Sequence, residues 1–420
     1  MSIETTTLPS GLRVVTDTIR DAETVALTIH IAAGSRHEEE REHGLAHLLE
    51  HMAFKGTRRR SARAIAEEIE AVGGEINAAT ATEQTSYMAR VLPEDVGLAV
   101  EILADILLDS TFDEDELSRE KGVILQEIGA VEDAPDDLVF DLFSATAYPG
   151  QPIGRPILGT IACVKNFDRA AIRAYLERHY CTPAIVVGAA GAVHHETLVD
   201  VIAKHFDRLP RHEPIAPVPA RYRGGQTRAK RRHEQANVVV GFEGVSFGDS
   251  DHYAAHVFTN AVGDGMSSRL FQEVRERRGL AYAISSFHWS FADTGLFGFH
   301  AATGAADAGD LVAVALDEML RATVDLDDAE IRRAKALMKV GMLAAMESSP
   351  GRAERVARQT ALFGRVIPRD EVVARIDGLT DSDVRRAGRR LLSSAPTITA
   401  LGPIGKVPDV GRVTARLAGV

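Results

Sequence analysis

Apolar residues recur along this chain with two different periods. Alternating or unbroken β-branched runs predict strands near 11–16, 24–32, 74–79, 84–92 and 185–192. A period of 3.6 predicts helices near 43–54, 61–72, 94–109 and 113–134. The strands come in neighbouring groups rather than in strict β-α-β alternation. That order predicts a mainly antiparallel sheet with helices on one face, a two-layer α+β architecture.

The pattern then repeats. A β-run at 24–32 (TVALTIHIA) is followed by a polar loop and a helix, and so is 237–242 (NVVVGF), whose helix starts at about His252. An acidic loop opens into a helix at 115–121 (DELSREK) and again at 329–335 (AEIRRAK). Between the halves, 209–232 carries Pro210, Pro214, Pro217 and Pro219, then Gly224 and Gly225, and reads as an extended connector. Two homologous domains follow, 1–210 and 233–420, with 211–232 as the linker. At 420 residues and 45% hydrophobic content the chain can fill two cores.

Charge changes the picture. The net charge is −12, which argues against nucleic acid as a partner. It is unevenly spread: 1–210 hold 35 acidic and 19 basic residues, a net of −16, and 211–420 hold 25 and 29, a net of +4. An acidic field of this kind favours cationic substrates. No run approaches 18 apolar residues, so no membrane span is expected. The start, MSIETTT, has neither the basic nor the apolar region of a secretory signal. Cys163 and Cys181 are too far apart in sequence for a C-x-x-C and are expected to be buried thiols in a reducing cytoplasm.

Candidate chemistry sits at His47-Leu48-Leu49-Glu50-His51, an H-x-x-E-H. On a helix the two histidines are four apart and share one face, where two imidazoles can grip one metal ion. Glu50 leans toward the same face and can take a proton from a metal-bound water. A catalytic zinc wants a third protein ligand and an open position. Glu127, in LSREKGVILQEIGAVE among Ile124, Leu125 and Ile128, is the best candidate. Glu120, seven residues back on the same helix face, is a candidate for orienting a ligand or water. In the second half His47, Glu50 and His51 fall on His256, Thr259 and Asn260, while Glu120 and Glu127 fall on Ala334 and Gly341. One half keeps the metal set and the other has lost it, so one Zn²⁺ per chain is expected.

The segment 34–57, GSRHEEEREHGLAHLLEHMAFKGT, is very similar to the pitrilysin family, which includes the mitochondrial processing peptidases and insulin-degrading enzyme. The similarity continues through 73–78 (GGEINA), 119–128 (REKGVILQEI), 263–271 (GDGMSSRLF) and 275–282 (RERRGLAY). The overall look is that of single-chain bacterial members resembling the processing-peptidase β subunit. The resemblance implies two homologous α/β domains closing like a clamshell, and a zinc metalloendopeptidase acting on extended peptides or unfolded segments. It implies His47, His51 and Glu127 as zinc ligands, Glu50 as general base and Glu120 as an accessory glutamate. Asn77 and Ala78 match the edge strand that holds the substrate backbone. Arg275 and Tyr282 match an arginine and a tyrosine that the second domain contributes to substrate and transition state. A Tyr hydroxyl there would meet the oxyanion.

Two other readings compete. One is a non-catalytic structural or partner subunit of the same fold, although such subunits typically lose the metal set that this chain keeps. The other is a zinc hydrolase acting on a small molecule, which peptide cleavage would separate from a peptidase. Monomer, homodimer and a pair with a sister chain are all compatible with the sequence.

Overall fold

A computed structural model describes residues 2–418. Met1, Gly419 and Val420, the end residues of the two expected domains, lie outside the described residues. Eleven strands form two sheets among those described. The first contains β1 (Ser2–Thr7), β2 (Arg13–Thr18), β3 (Val25–Ile31), β4 (Glu75–Thr80), β5 (Thr85–Val91) and β6 (Ile185–Gly191), in the order β1-β2-β6-β3-β5-β4. The second contains β7 (Gly225–Lys230), β8 (Ala236–Glu243), β9 (Ala281–Ser290), β10 (Gly295–Thr303) and β11 (Thr397–Gly402), in the order β7-β11-β8-β10-β9.

The two orders superpose when β1 is set aside. Each sheet is antiparallel except at one place, and that place is the same: β2 beside β6, β7 beside β11. The strands expected from the apolar runs are present with ends displaced by one or two residues. In the first sheet Ile29 stands opposite Val187 on one side and Tyr87 on the other, deep in the core.

Two compact units emerge, and neither is a single stretch of chain. One is built from 1–129, 155–218 and 343–367, the other from 130–154, 219–342 and 368–420. In the first unit Leu27, Ile29 and Val187 pack on one face of the sheet with Leu48, Leu49, Met52, Val100 and Leu103 from helices. The opposite face is not bare. Val15 and Val186 meet Val356 and Ala357, and Ala26 and Ala190 meet Ala353, all from the helix Ser349–Phe363. This explains why β3 and β6 are buried at every position instead of every second one.

The second unit is completed in the same way by the helix Pro135–Ala147. Its Val139, Phe143 and Ala147 pack against Val239, Leu296 and Leu401. Each covering helix is therefore supplied by the sequence half that does not own the sheet. Local sequence defines both helices. Pro135 opens one, followed by Asp136 and Asp137 in the first turn. Ser348 caps the other by accepting the Gly351 N–H, and Gly364 ends it in the left-handed region.

Close seating requires a glycine in each sheet. A Cβ on Gly188 of β6 would stand 2.4 Å from the Ala353 carbonyl oxygen, and one on Gly241 of β8 would stand 2.4 Å from Phe143 Cζ. Burying a side chain such as Phe143 in this seat contributes roughly 1.5–3 kcal/mol.

Cys181 is buried as expected, but Cys163 is only half-buried. It lies on the short helix Ile161–Asn166, whose only buried residue is Val164. Among the described residues no helix is long and apolar enough to cross a membrane.

Candidate metal centre

The nine-residue helix Leu45–Ala53 carries the histidines. Leu45, Ala46, Leu48, Leu49, Met52 and Ala53 are buried against the core, which leaves His47, Glu50 and His51 on the remaining face, half-buried. That division is the 3.6 period at work. The helix packs against β4, which carries Asn77 and Ala78.

Glu127 reaches this face from the long helix Glu114–Asp133. Its Oε2 lies 3.8 Å from His47 Nε2, and its Oε1 lies 3.8 Å from His51 Nε2. One ligand atom each from His47, His51 and Glu127 falls within 4.8 Å of the other two, and no other such group occurs among the described residues. A tetrahedral zinc about 2.0–2.2 Å from each donor needs donors roughly 3.3–3.6 Å apart, so small side-chain shifts close the set.

Glu120 does not join that set directly. Its Oε2 lies 3.0 Å from His51 Nδ1, and its Oε1 lies 2.7 Å from Lys55 Nζ. Burial pushes the Glu120 carboxyl up, but Lys55 and His51 together outweigh it and the net shift is downward. An ionised Glu120 accepts the Nδ1–H of His51, which leaves Nε2 with its lone pair toward Glu127. Lys55 escaped the sequence reading, because it lies just past the helix end at Ala53 and reaches Glu120 from the following bend.

His47 is held neutral. Burial, and then the neighbouring His51, lower it to about 4 against the raising effect of Glu127. A neutral imidazole is the form that binds a metal. Three buried atoms here find no hydrogen-bond partner among the described residues: His47 Nδ1, Glu50 Oε2 and Glu127 Oε2. Unpaired buried carboxylate oxygens are costly unless a cation or a water is their natural company. The donor set, its spacing and these orphaned atoms fit a zinc ion.

Asn77 and Ala78 lie on β4, the edge strand of their sheet, opposite Met88 and Tyr87 of β5. The Ala78 N–H donates to Asn77 Oδ1 at 2.9 Å, so this donor is held by its own neighbour. Arg275 and Tyr282 belong to the other compact unit and are brought together there. Arg275 sits in a π-helical turn, Phe271–Glu276, with its guanidinium 4.6 Å from the Phe271 ring and 4.7 Å from the Tyr282 ring. Tyr282 is 78% exposed on β9, the edge strand that matches β4, so it is no core aromatic.

The matching positions of the second unit show what loss of the set looks like. His256, on the helix His252–Gly263, has its Nε2 3.2 Å from His288 Nδ1, and His288 Nε2 accepts the Val245 N–H at 3.1 Å. Burial, then neighbouring histidines, push His256 down to about 3 and His288 to about 2. Thr259, at the place of Glu50, donates its hydroxyl to the Ala255 carbonyl.

An H-x-x-E-H helix faced by a glutamate from a second helix defines a zinc metallopeptidase of the inverted-motif class. The chain belongs to peptidase family M16: the model described as insulinase (peptidase family M16) matches residues 13–161, and that of the peptidase M16 inactive domain matches 166–338. It is 38% identical to an uncharacterized zinc protease of Streptomyces coelicolor, over 96% of this chain and 90% of that one. It is also 38% identical to a probable mitochondrial-processing peptidase subunit beta of Arabidopsis thaliana, over 98% of this chain and 80% of that one. In fold it is similar to a chain of complex III2 from Candida albicans, with a TM-score of 0.89 at 22% identity, covering 99% and 100% of the two chains.

Proposed function

We propose that this zinc metallopeptidase is an endopeptidase that cuts extended peptides or unfolded segments, with a preference for basic sequences. One observation carries the reading: the convergence of His47, His51 and Glu127 beside a Glu50 carboxylate whose buried oxygen has no hydrogen-bond partner among the described residues. His47, His51 and Glu127 are the ligands. When bound there, zinc polarises the scissile carbonyl and makes water acidic enough to deprotonate near neutral pH.

Glu50 takes the proton from the attacking water and passes it to the leaving amine. Glu120, fixed by Lys55, holds the His51 ring in its ligand orientation. Asn77 and Ala78 on the edge of β4 receive the substrate main chain as an added strand. Arg275 holds the Tyr282 phenol in place by stacking, and its hydroxyl donates to the oxyanion. The excess of acidic residues in 1–210 supports the basic preference. Two free cysteines support a reducing, cytoplasmic setting.

The test is digestion of a mixed peptide library with and without chelator, the cut sites being read by mass spectrometry. Internal cuts near Arg or Lys, abolished by chelator and less selective at high salt, are the expected result. Library peptides left intact by the zinc-loaded enzyme would overturn the reading. Equal cutting of acidic and basic peptides at low salt would overturn the charge preference alone.

A further inference from the structure

The helix that carries His47 and His51 begins without a side chain of its own to cap it. Its N-cap is Gly44, in the left-handed region at φ 98°, and contributes no side-chain hydrogen bond. The first N–H groups of a helix have no partner within the helix, and the first turn frays unless something accepts them.

Glu38 does so from outside. Its side chain arrives from six residues upstream, with Oε2 accepting the Gly44 N–H at 2.9 Å and Oε1 accepting the Ala46 N–H at 2.7 Å. The residue is 2% exposed. Burial pushes its carboxyl up to about 8, against the pull of the Ala46 and Gly44 N–H groups and of Arg155. A carboxyl in so dry a place is costly unless hydrogen bonds offset its lost hydration, and here two helix N–H groups do so.

The same corner is clamped further by 155–159. Arg155 Nη1 donates to the Glu38 carbonyl oxygen at 3.1 Å, and His43 Nε2 lies 2.8 Å from the Pro156 carbonyl oxygen. The chain crosses itself so closely at Gly44 and Gly159 that a Cβ on Gly159 would stand 2.2 Å from the His43 carbonyl oxygen. The start of this helix is thus tied to Glu38 and to 155–156, and Ala46 is the residue immediately before His47.

We propose that Glu38 is a positioning residue for the metal set: by holding the first turn of the helix it fixes where His47 stands relative to His51 and Glu127. The proposal rests on the reading of those three residues as ligands. In a helix of only nine residues a frayed first turn takes His47 with it, whereas His51, more than a turn further on, stays. Binding would then fall back on His51 and Glu127 in an altered coordination.

Zinc affinity is measured on the full chain by competition with a chelator, together with the visible spectrum of the cobalt-substituted protein and the melting temperature of the metal-free protein. Glu38→Gln keeps the size of the side chain but points an amide N–H₂ at one backbone N–H. It should weaken zinc binding about tenfold or more, within the range seen when groups supporting a metal ligand are lost, and should change the cobalt spectrum. Glu38→Asp, which keeps the carboxyl group with a shorter reach, should fall between Gln and wild type. A folded E38Q protein with wild-type zinc affinity and cobalt spectrum overturns the proposal, even when its melting temperature is lowered, because the role is then structural only. If E38Q does not fold, the same comparison is made on E38D, where a weakened affinity supports the proposal and a wild-type affinity and spectrum overturn it. His51→Ala is run in parallel: wild-type zinc binding in that variant overturns the ligand reading itself, and with it the basis for assigning a role to Glu38.

Discussion

His47 and His256 occupy the same place in two halves of one plan and spend their lone pairs differently. His47 Nε2 looks toward Glu127, and its other nitrogen has no protein partner among the described residues. His256 Nε2 is taken by His288, on a strand that matches β4. Around His47 the polar atoms are left short of partners, and around His256 they are satisfied. A site built to take a cation and a core that needs none are thus told apart by hydrogen-bond accounting, even where the helix and its histidine are shared. Lys55 and Glu120 sharpen the contrast, since in the second half Ala334 stands where Glu120 would be, buried against the core.

The comparison can be broken most forcefully at the base. Glu50→Gln should lower peptide hydrolysis by about 10³-fold or more while zinc content stays at one per chain, because an amide cannot accept the proton. Turnover near wild type would show that another group does this work.

Tyr282→Phe comes next. If its hydroxyl meets the oxyanion as proposed, kcat should fall on the order of 10²-fold, and the melting temperature should hold because the ring is exposed. Normal kcat would confine the chemistry to the unit that has the metal set.

Lys55→Met probes the support behind His51. Removing the cation leaves Glu120 buried beside His51 alone, and zinc affinity should drop about tenfold in a chelator competition. An unchanged affinity would mean that Glu120 needs no cation to hold the ring.

The smallest expected effect is none. Restoring ligands in the second half by Asn260→His and Gly341→Glu should yield no second zinc, because His256 is already engaged by His288. Two zincs per chain by elemental analysis would show that a missing pair of ligands, and nothing in the surroundings, separates the halves.

Much of this was legible in the sequence. The period of 3.6 placed His47, Glu50 and His51 on one helix face, and the structure leaves that face out of the core packing. Glu127 was legible as a carboxylate among Ile124, Leu125 and Ile128, where an unpaired charge needs a reason. The exchange of covering helices was not. The run VALTIHI is buried on both faces, but a continuous apolar strand says only that something covers it, not which distant helix does. The sequence told His256 from His47 by the missing companions, Thr259 and Asn260 in place of Glu50 and His51, but it did not show that His288 engages it, because His288 lies 32 residues away and meets it only through the fold. Glu38 was hidden for a similar reason: in GSRHEEEREHG three successive glutamates look alike, and only burial singles one out.

The exchanged helices impose a schedule on synthesis. By the time β6 has left the ribosome, every strand of the first sheet and all three metal-facing residues have been made. The helix that covers Val15, Val186, Ala26 and Ala190 follows only about 160 residues later, roughly 10–30 s at an ordinary rate of translation. Through that interval the nascent sheet has one apolar face uncovered. A holding chaperone would find its footing there, and a ribosome-bound chain stopped at 340 should be cut by protease within the first sheet while one stopped past 400 resists. Equal resistance of the two would show that the open face is covered in some other way until Ser349–Phe363 arrives.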